Sequence, residues 1–138
     1  MRNKNILYII VGFAVFTFSI SCISQTETPS PEVLAAGKKV YEANCLVCHQ
    51  KDGSGVPRLN APLIKSKIVQ GDKKKLIRLI LLGSEKAGIR NDAFSNPMPA
   101  QPQLTDAEIA TVLTYVRNSF GNKATSISAA EVKHIRKK

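Results

Sequence analysis

Two thiols and an imidazole fall within five consecutive residues, Cys45-Leu-Val-Cys48-His49, and no other segment restricts the fold as much. Cysteines three positions apart on a helical turn point to one side, so both sulfurs can face a single partner. A thioredoxin-like redox pair would need a βαβ frame, and a structural zinc site needs four ligands. The surrounding sequence shows no convincing strand pair, and the second of its two histidines, His134, lies in a Lys-rich tail as an ordinary surface residue. The pattern therefore reads as attachment of one haem c: Cys45 and Cys48 form thioethers with its vinyl groups, and His49 supplies the proximal iron ligand.

A distal ligand follows by elimination. Low-spin c-type cytochromes with a raised potential pair His with Met. The chain has two methionines, and Met1 leaves with a presumed signal, which leaves Met98. It lies in Asn96-Pro97-Met98-Pro99-Ala100, where the prolines forbid helix and stiffen the chain. The alternative is a methionine that only packs in its loop. With both axial positions filled by side chains, iron could exchange electrons with little rearrangement and would be poorly suited to binding a substrate.

The N-terminus has the form of an export signal. Arg2 and Lys4 precede an apolar run over residues 6–20, shorter than the ~20 residues of a transmembrane helix. Ser19-Ile20-Ser21 then gives a small-x-small site before Cys22. We expect residues 1–21 to be a lipoprotein-type signal, Cys22 to carry lipid, and residues 22–30 to be a flexible tether. An ordinary cleaved signal and an uncleaved anchor are the alternatives, and all three place residues 31–138 outside the cytoplasm.

The formal net charge is +10. Without residues 1–21, 18 basic side chains still face 10 acidic ones. Such a balance first raises nucleic acid, but the chain has no Trp, no aromatic ladder and no nucleic-acid motif, so that partner is excluded. The expected partners are redox proteins with acidic docking surfaces, and a membrane reached through the lipid anchor. Lys38, Lys39, Lys51, Arg58, Lys65 and Lys67 lie near the haem-binding segment in sequence. They form either a docking rim or scattered solubilising charge.

The rest reads as an all-α domain. Ser30 caps a helix opened by Pro31, and Val33, Gly37, Val40 and Tyr41 recur at helical spacing. Residues 64–69 predict a short helical piece. Asp72 caps a helix over residues 73–82 that Gly83 ends, and residues 84–104 read as loop. Thr105 and Glu108 form a capping box ahead of Ile109, Val112, Leu113 and Val116, and Gly121 ends that helix. Ser128 and Glu131 form a second box, opening a short basic tail helix.

These residues resemble the class I cytochrome c family over residues 33–121. The resemblance rests on Gly37 and Tyr41, Cys45-x-x-Cys48-His49, Pro62-Leu63, the Met98-Pro99 loop and the closing helix. Residues 104–122 look especially like a bacterial mono-haem subgroup of soluble carriers and of domains serving dehydrogenases and reductases. The resemblance implies a small class I cytochrome c fold wrapped around one covalent haem. It also implies that the N- and C-terminal helices cross near Gly37, Tyr41 and Tyr115, and that the Pro62 carbonyl accepts a hydrogen bond from His49 Nδ1. Two positions depart from the subgroup: Gln101 replaces a frequent aromatic, and Leu82 a frequent histidine.

The leading expectation is a carrier of single electrons and not an enzyme. A fixed electron-accepting subunit of a dehydrogenase or reductase complex is the alternative. A catalytic or gas-sensing haem protein fits less well with one haem and an available Met98.

Overall fold

The computed structural model describes residues 28–89 and 92–137. The helices are α1 (Pro31–Asn44), α2 (Leu46–His49), α3 (Lys67–Gln70), α4 (Lys73–Lys86), α5 (Asp106–Arg117) and α6 (Ala129–Arg136). Between the described residues the only β pairing is an isolated antiparallel bridge of Val56 with Asn60, so the domain is all-α as expected. The signal expected over residues 1–21, the lipid expected on Cys22 and residues 22–27 of the expected tether lie outside the described residues. No helix among the described residues is long and apolar enough to cross a membrane.

Local chemistry accounts for where these helices begin. Ser30 Oγ accepts from Val33 N–H, and Asp72 accepts from Lys75 N–H at 2.9 Å. Both capping boxes form: Thr105 N–H donates to Glu108 at 2.8 Å, and Ser128 N–H to Glu131 at 2.7 Å. Each box satisfies N–H groups that a helix start otherwise leaves unpaired. Hydrogen bonds to Thr105 hold the Glu108 carboxyl below its usual range.

Three boundaries differ from the sequence reading, and the first is the short helical piece expected over residues 64–69, which runs over Lys67–Gln70 behind a Ser66 cap. Gly83 does leave helical geometry, with φ +77° and ψ 169°, but another turn follows it to Lys86. The helix ladder is interrupted there and the chain resumes its helical path instead of becoming loop. The helix after Thr105 stops at Arg117, before Gly121. Asn118 and Phe120 turn the chain first, and Phe120 adopts a left-handed φ of 56°.

The core gathers where α1 crosses α5. Gly37 is buried, and a Cβ there would meet the Thr111 carbonyl and stand 2.6 Å from Tyr115 Cβ. A side chain at Gly37 would hold the helices apart. Below the crossing, the Tyr41 ring lies 5.6 Å from Tyr115 and 5.3 Å from Phe120, so packing fixes the turn after α5 against α1. Ile77 of α4, Ile109 and Val112 of α5, and Val132 of α6 complete the core with almost no exposure. The tail helix is therefore part of the domain. Lys73 pairs with Glu131 at 3.0 Å, and Arg136 with Asp106 at 2.6 Å.

Arg117 is 2% exposed. Its guanidinium donates to the carbonyls of Val69 (2.6 Å), Gly71 (3.1 Å) and Thr125 (2.8 Å). It thus satisfies carbonyls at the C-terminal end of α3 and ties that end to the segment before α6. Burial lowers its pKa, while the Glu131 charge opposes that shift.

Replacing Gly37 with Ala tests the close crossing. Overpacking should outweigh the ~1 kcal/mol that Ala gains as a better helix former, for a net loss of about 2 kcal/mol. Denaturant unfolding of the haem-loaded protein measures it; unchanged or increased stability would mean that α1 and α5 do not need their close contact.

Candidate functional site

α1 ends in the attachment motif. Cys45 N–H donates to the Tyr41 carbonyl at 2.8 Å, and His49 N–H to Cys45 at 2.9 Å, so the chain makes one further helical turn between the cysteines. Gln50, at φ 63°, then reverses the chain. Tyr41 Oη donates to the Gln50 carbonyl at 2.6 Å and fastens that reversal to α1. Burial, then the neighbouring charges of Cys45, Tyr115 and Asp52, raises the Tyr41 pKa above its usual range.

A cavity of about 500 Å³ opens beside this turn. Cys45, Cys48, His49 and Met98 all line it, although Met98 is 49 residues further along the chain than His49. Leu76, Ile80, Val112, Leu113 and Val116 contribute apolar wall from α4 and α5. Cys48 is exposed and Val47 is 84% exposed, so the attachment turn reaches the protein surface. Cys45 is half-buried. Burial, followed by the Cys48 charge, pushes its thiol up to about 11, which keeps it protonated at neutral pH.

His49 Nδ1 lies 3.0 Å from the Ala61 carbonyl. This corrects the expectation for Pro62, whose own carbonyl is not the partner. Ala61 carries the carbonyl of the peptide unit that ends at the Pro62 nitrogen. A residue before proline is biased to extended backbone, and the turn over residues 56–60 brings that peptide unit to the imidazole. Gly55 N–H donates to the His49 carbonyl at 3.1 Å, and Val56 N–H to Asn60 at 3.1 Å, closing the turn. Pro62 lines the cavity.

The donor set fits a planar apolar group with a metal centre. Donation from Nδ1 to Ala61 fixes the tautomer in which Nε2 keeps its lone pair for a metal. Burial lowers the His49 pKa, against a smaller opposing effect of the Ala61 hydrogen bond, and so favours the neutral imidazole that ligation requires. Met98 offers a soft thioether from another segment of the wall, and the paired thiols offer covalent attachment.

Backbone and amide contacts absent from the sequence reading hold the wall in place. Ser95 N–H donates to the Arg58 carbonyl at 2.8 Å, and Asn96 N–H to Leu59 at 3.0 Å. Asn122 Nδ2 donates to the carbonyls of Leu63 (2.8 Å) and Val116 (2.9 Å), while its Oδ1 accepts from Ser66 N–H (3.0 Å). Asn122 thereby joins the 63–66 wall to the end of α5. A polar residue at a turn gives no sequence signal for partners 56 and 59 positions away.

Comparison with known proteins matches residues 34–120 to the cytochrome c family model. The fructose dehydrogenase cytochrome subunit of Gluconobacter japonicus is 36% identical over 106 residues, covering 72% of this chain and 22% of that protein. The cytochrome c subunit of the quinone alcohol dehydrogenase of Gluconobacter oxydans is 32% identical over 104 residues, covering 73% and 22%. The chain thus spans less than a quarter of either dehydrogenase subunit. Cytochrome c-552 of Thermus thermophilus is 32% identical over 116 residues, covering 75% of this chain and 86% of that protein.

Proposed function

Because the chain belongs to the cytochrome c family, we propose that Cys45 and Cys48 hold its haem covalently and that His49 and Met98 are the axial ligands. Members of the family carry covalent haem c, and this chain carries one and transfers single electrons between redox partners outside the cytoplasm. It is an electron carrier and not itself an enzyme. The observation supporting the ligand assignment is the meeting of all four side chains at one cavity, with His49 Nδ1 already engaged by Ala61.

When bound, the haem supplies iron that alternates between ferric and ferrous states. The chain's part is to fix the ligands and exclude water. Ala61 orients the imidazole, Pro97 and Pro99 stiffen the segment carrying the thioether, and the apolar wall from α4 and α5 lowers the local dielectric. With His49 and Met98 both bound, the iron would keep no open position, which would favour outer-sphere transfer over catalysis.

Lys38, Lys39, Lys51, Arg58, Lys65 and Lys67 are all exposed. Exposed apolar residues Val47, Leu59, Ile64 and Ile68 lie in the same segments. This composition supports docking to acidic surfaces of redox proteins, with the basic groups raising the association rate. A fixed subunit of a dehydrogenase complex is the second reading, favoured by the similarity to the two Gluconobacter subunits. Residues 1–21 act as the export signal, lipid on Cys22 anchors the protein, and residues 22–30 tether it to domain 31–138.

Two outcomes test these assignments. Met98→Ala should keep the haem but lose the weak far-red sulfur-to-iron band of the oxidised protein, lower the reduction potential and bind carbon monoxide readily. A wild-type protein that lacks the band and binds carbon monoxide quickly would remove Met98 from the ligand set. Cys22→Ser should move the cytochrome from the membrane to the soluble fraction with its spectrum intact; equal retention would reject lipid on Cys22 as the anchor.

A further inference from the structure

The break in α4 at Gly83 exposes two backbone groups that an uninterrupted helix would pair with each other. In a regular ladder, Ser84 N–H would donate to the Ile80 carbonyl four residues earlier. Here Gly83, at φ +77°, turns the two apart. Ser84 N–H instead donates to the Met98 carbonyl at 2.9 Å, and the Ile80 carbonyl accepts from Gln101 N–H at 2.8 Å. The Ser84 hydroxyl adds a further bond, accepting from Met98 N–H at 2.9 Å. A Cβ on Gly83 would lie 2.8 Å from the Met98 carbonyl oxygen and 2.9 Å from Ala100 N, so this close seat depends on glycine.

We propose that Ser84 is a positioning residue that holds Met98 at the iron by bonding both polar groups of its backbone. This deepens the ligand assignment above and rests on it. Pro97 and Pro99 stiffen the segment, but neither has an N–H with which to anchor it. The neighbouring bonds, from Ser95 to Arg58, Asn96 to Leu59 and Gln101 to Ile80, run between backbone groups on either side of Met98. Ser84 contributes a side-chain bond to Met98 itself. A thioether is a weak ligand, so its competition with other ligands is sensitive to how firmly the backbone behind it is held.

The test compares binding of imidazole to the oxidised, haem-loaded wild type, Ser84→Ala, Ser84→Thr and Met98→Ala. Alanine keeps the N–H but removes the hydroxyl, so only one of the two bonds to Met98 is lost. Ser84→Ala should retain full haem and bind imidazole about tenfold more tightly, the effect of roughly one hydrogen bond. Its sulfur-to-iron band should also disappear at lower imidazole concentration. Ser84→Thr, which restores the hydroxyl, should stay within about twofold of wild type on the same scale. The proposal is overturned if Ser84→Ala binds imidazole like wild type while Met98→Ala binds it far more tightly. It is equally overturned if threonine behaves like alanine. If wild type lacks the band and Met98→Ala leaves imidazole binding unchanged, the ligand assignment fails and takes this inference with it.

Discussion

The absence of a side chain at Gly37 lets the backbone of α1 reach the Thr111 carbonyl of α5, and the position of the attachment turn follows from that contact. α1 carries Cys45 at its end, and α5 supplies Val112, Leu113 and Val116 to the cavity wall. Tyr41, Tyr115 and Phe120 fill the space beside the crossing and hold the two elements at one angle. Were α1 displaced along α5, the thiols and His49 would move relative to the wall they face.

From that frame, the remaining site is held mainly by backbone oxygen atoms. Ala61 meets His49, the carbonyls of Arg58 and Leu59 hold the start of the Met98 segment, and those of Leu63 and Val116 receive Asn122. Arg117 gathers three more on the far side of α3. Irregular chain between helices leaves many carbonyls without ladder partners, and buried ones require donors. The donors that satisfy them also fix the loops that line the cavity. Such rigidity suits electron transfer, because ligands that hardly move between oxidation states add little reorganisation.

The legible parts of the sequence were those governed by neighbouring residues. Ser30, Asp72, Thr105 and Ser128 announced helix starts because a cap and its N–H partner lie three residues apart. Cys45, Cys48 and His49 could be read together for the same reason, and Met98, set apart as the one methionine outside the expected signal, lines the same cavity. The crossing near Gly37, Tyr41 and Tyr115 came from family resemblance and agrees with the structure. The choice of Ala61 over Pro62 was not legible, since it depends on which way one peptide plane faces. Neither was the turn beyond Gly83, whose stability comes partly from the Met98 segment packed against it. Arg117 and Asn122 looked like ordinary polar residues because their partners are distant carbonyls.

The central claim is a single haem joined to this polypeptide through both Cys45 and Cys48. Intact mass measurement after acid-acetone treatment and denaturation tests it directly, with Cys45→Ala and Cys48→Ala singly and together as controls. The account predicts that the matured wild-type chain keeps the added mass of one haem, that each single variant has at most one remaining thioether, and that the double variant loses the group under denaturation. A wild-type polypeptide that emerges from the same treatment without haem would contradict it.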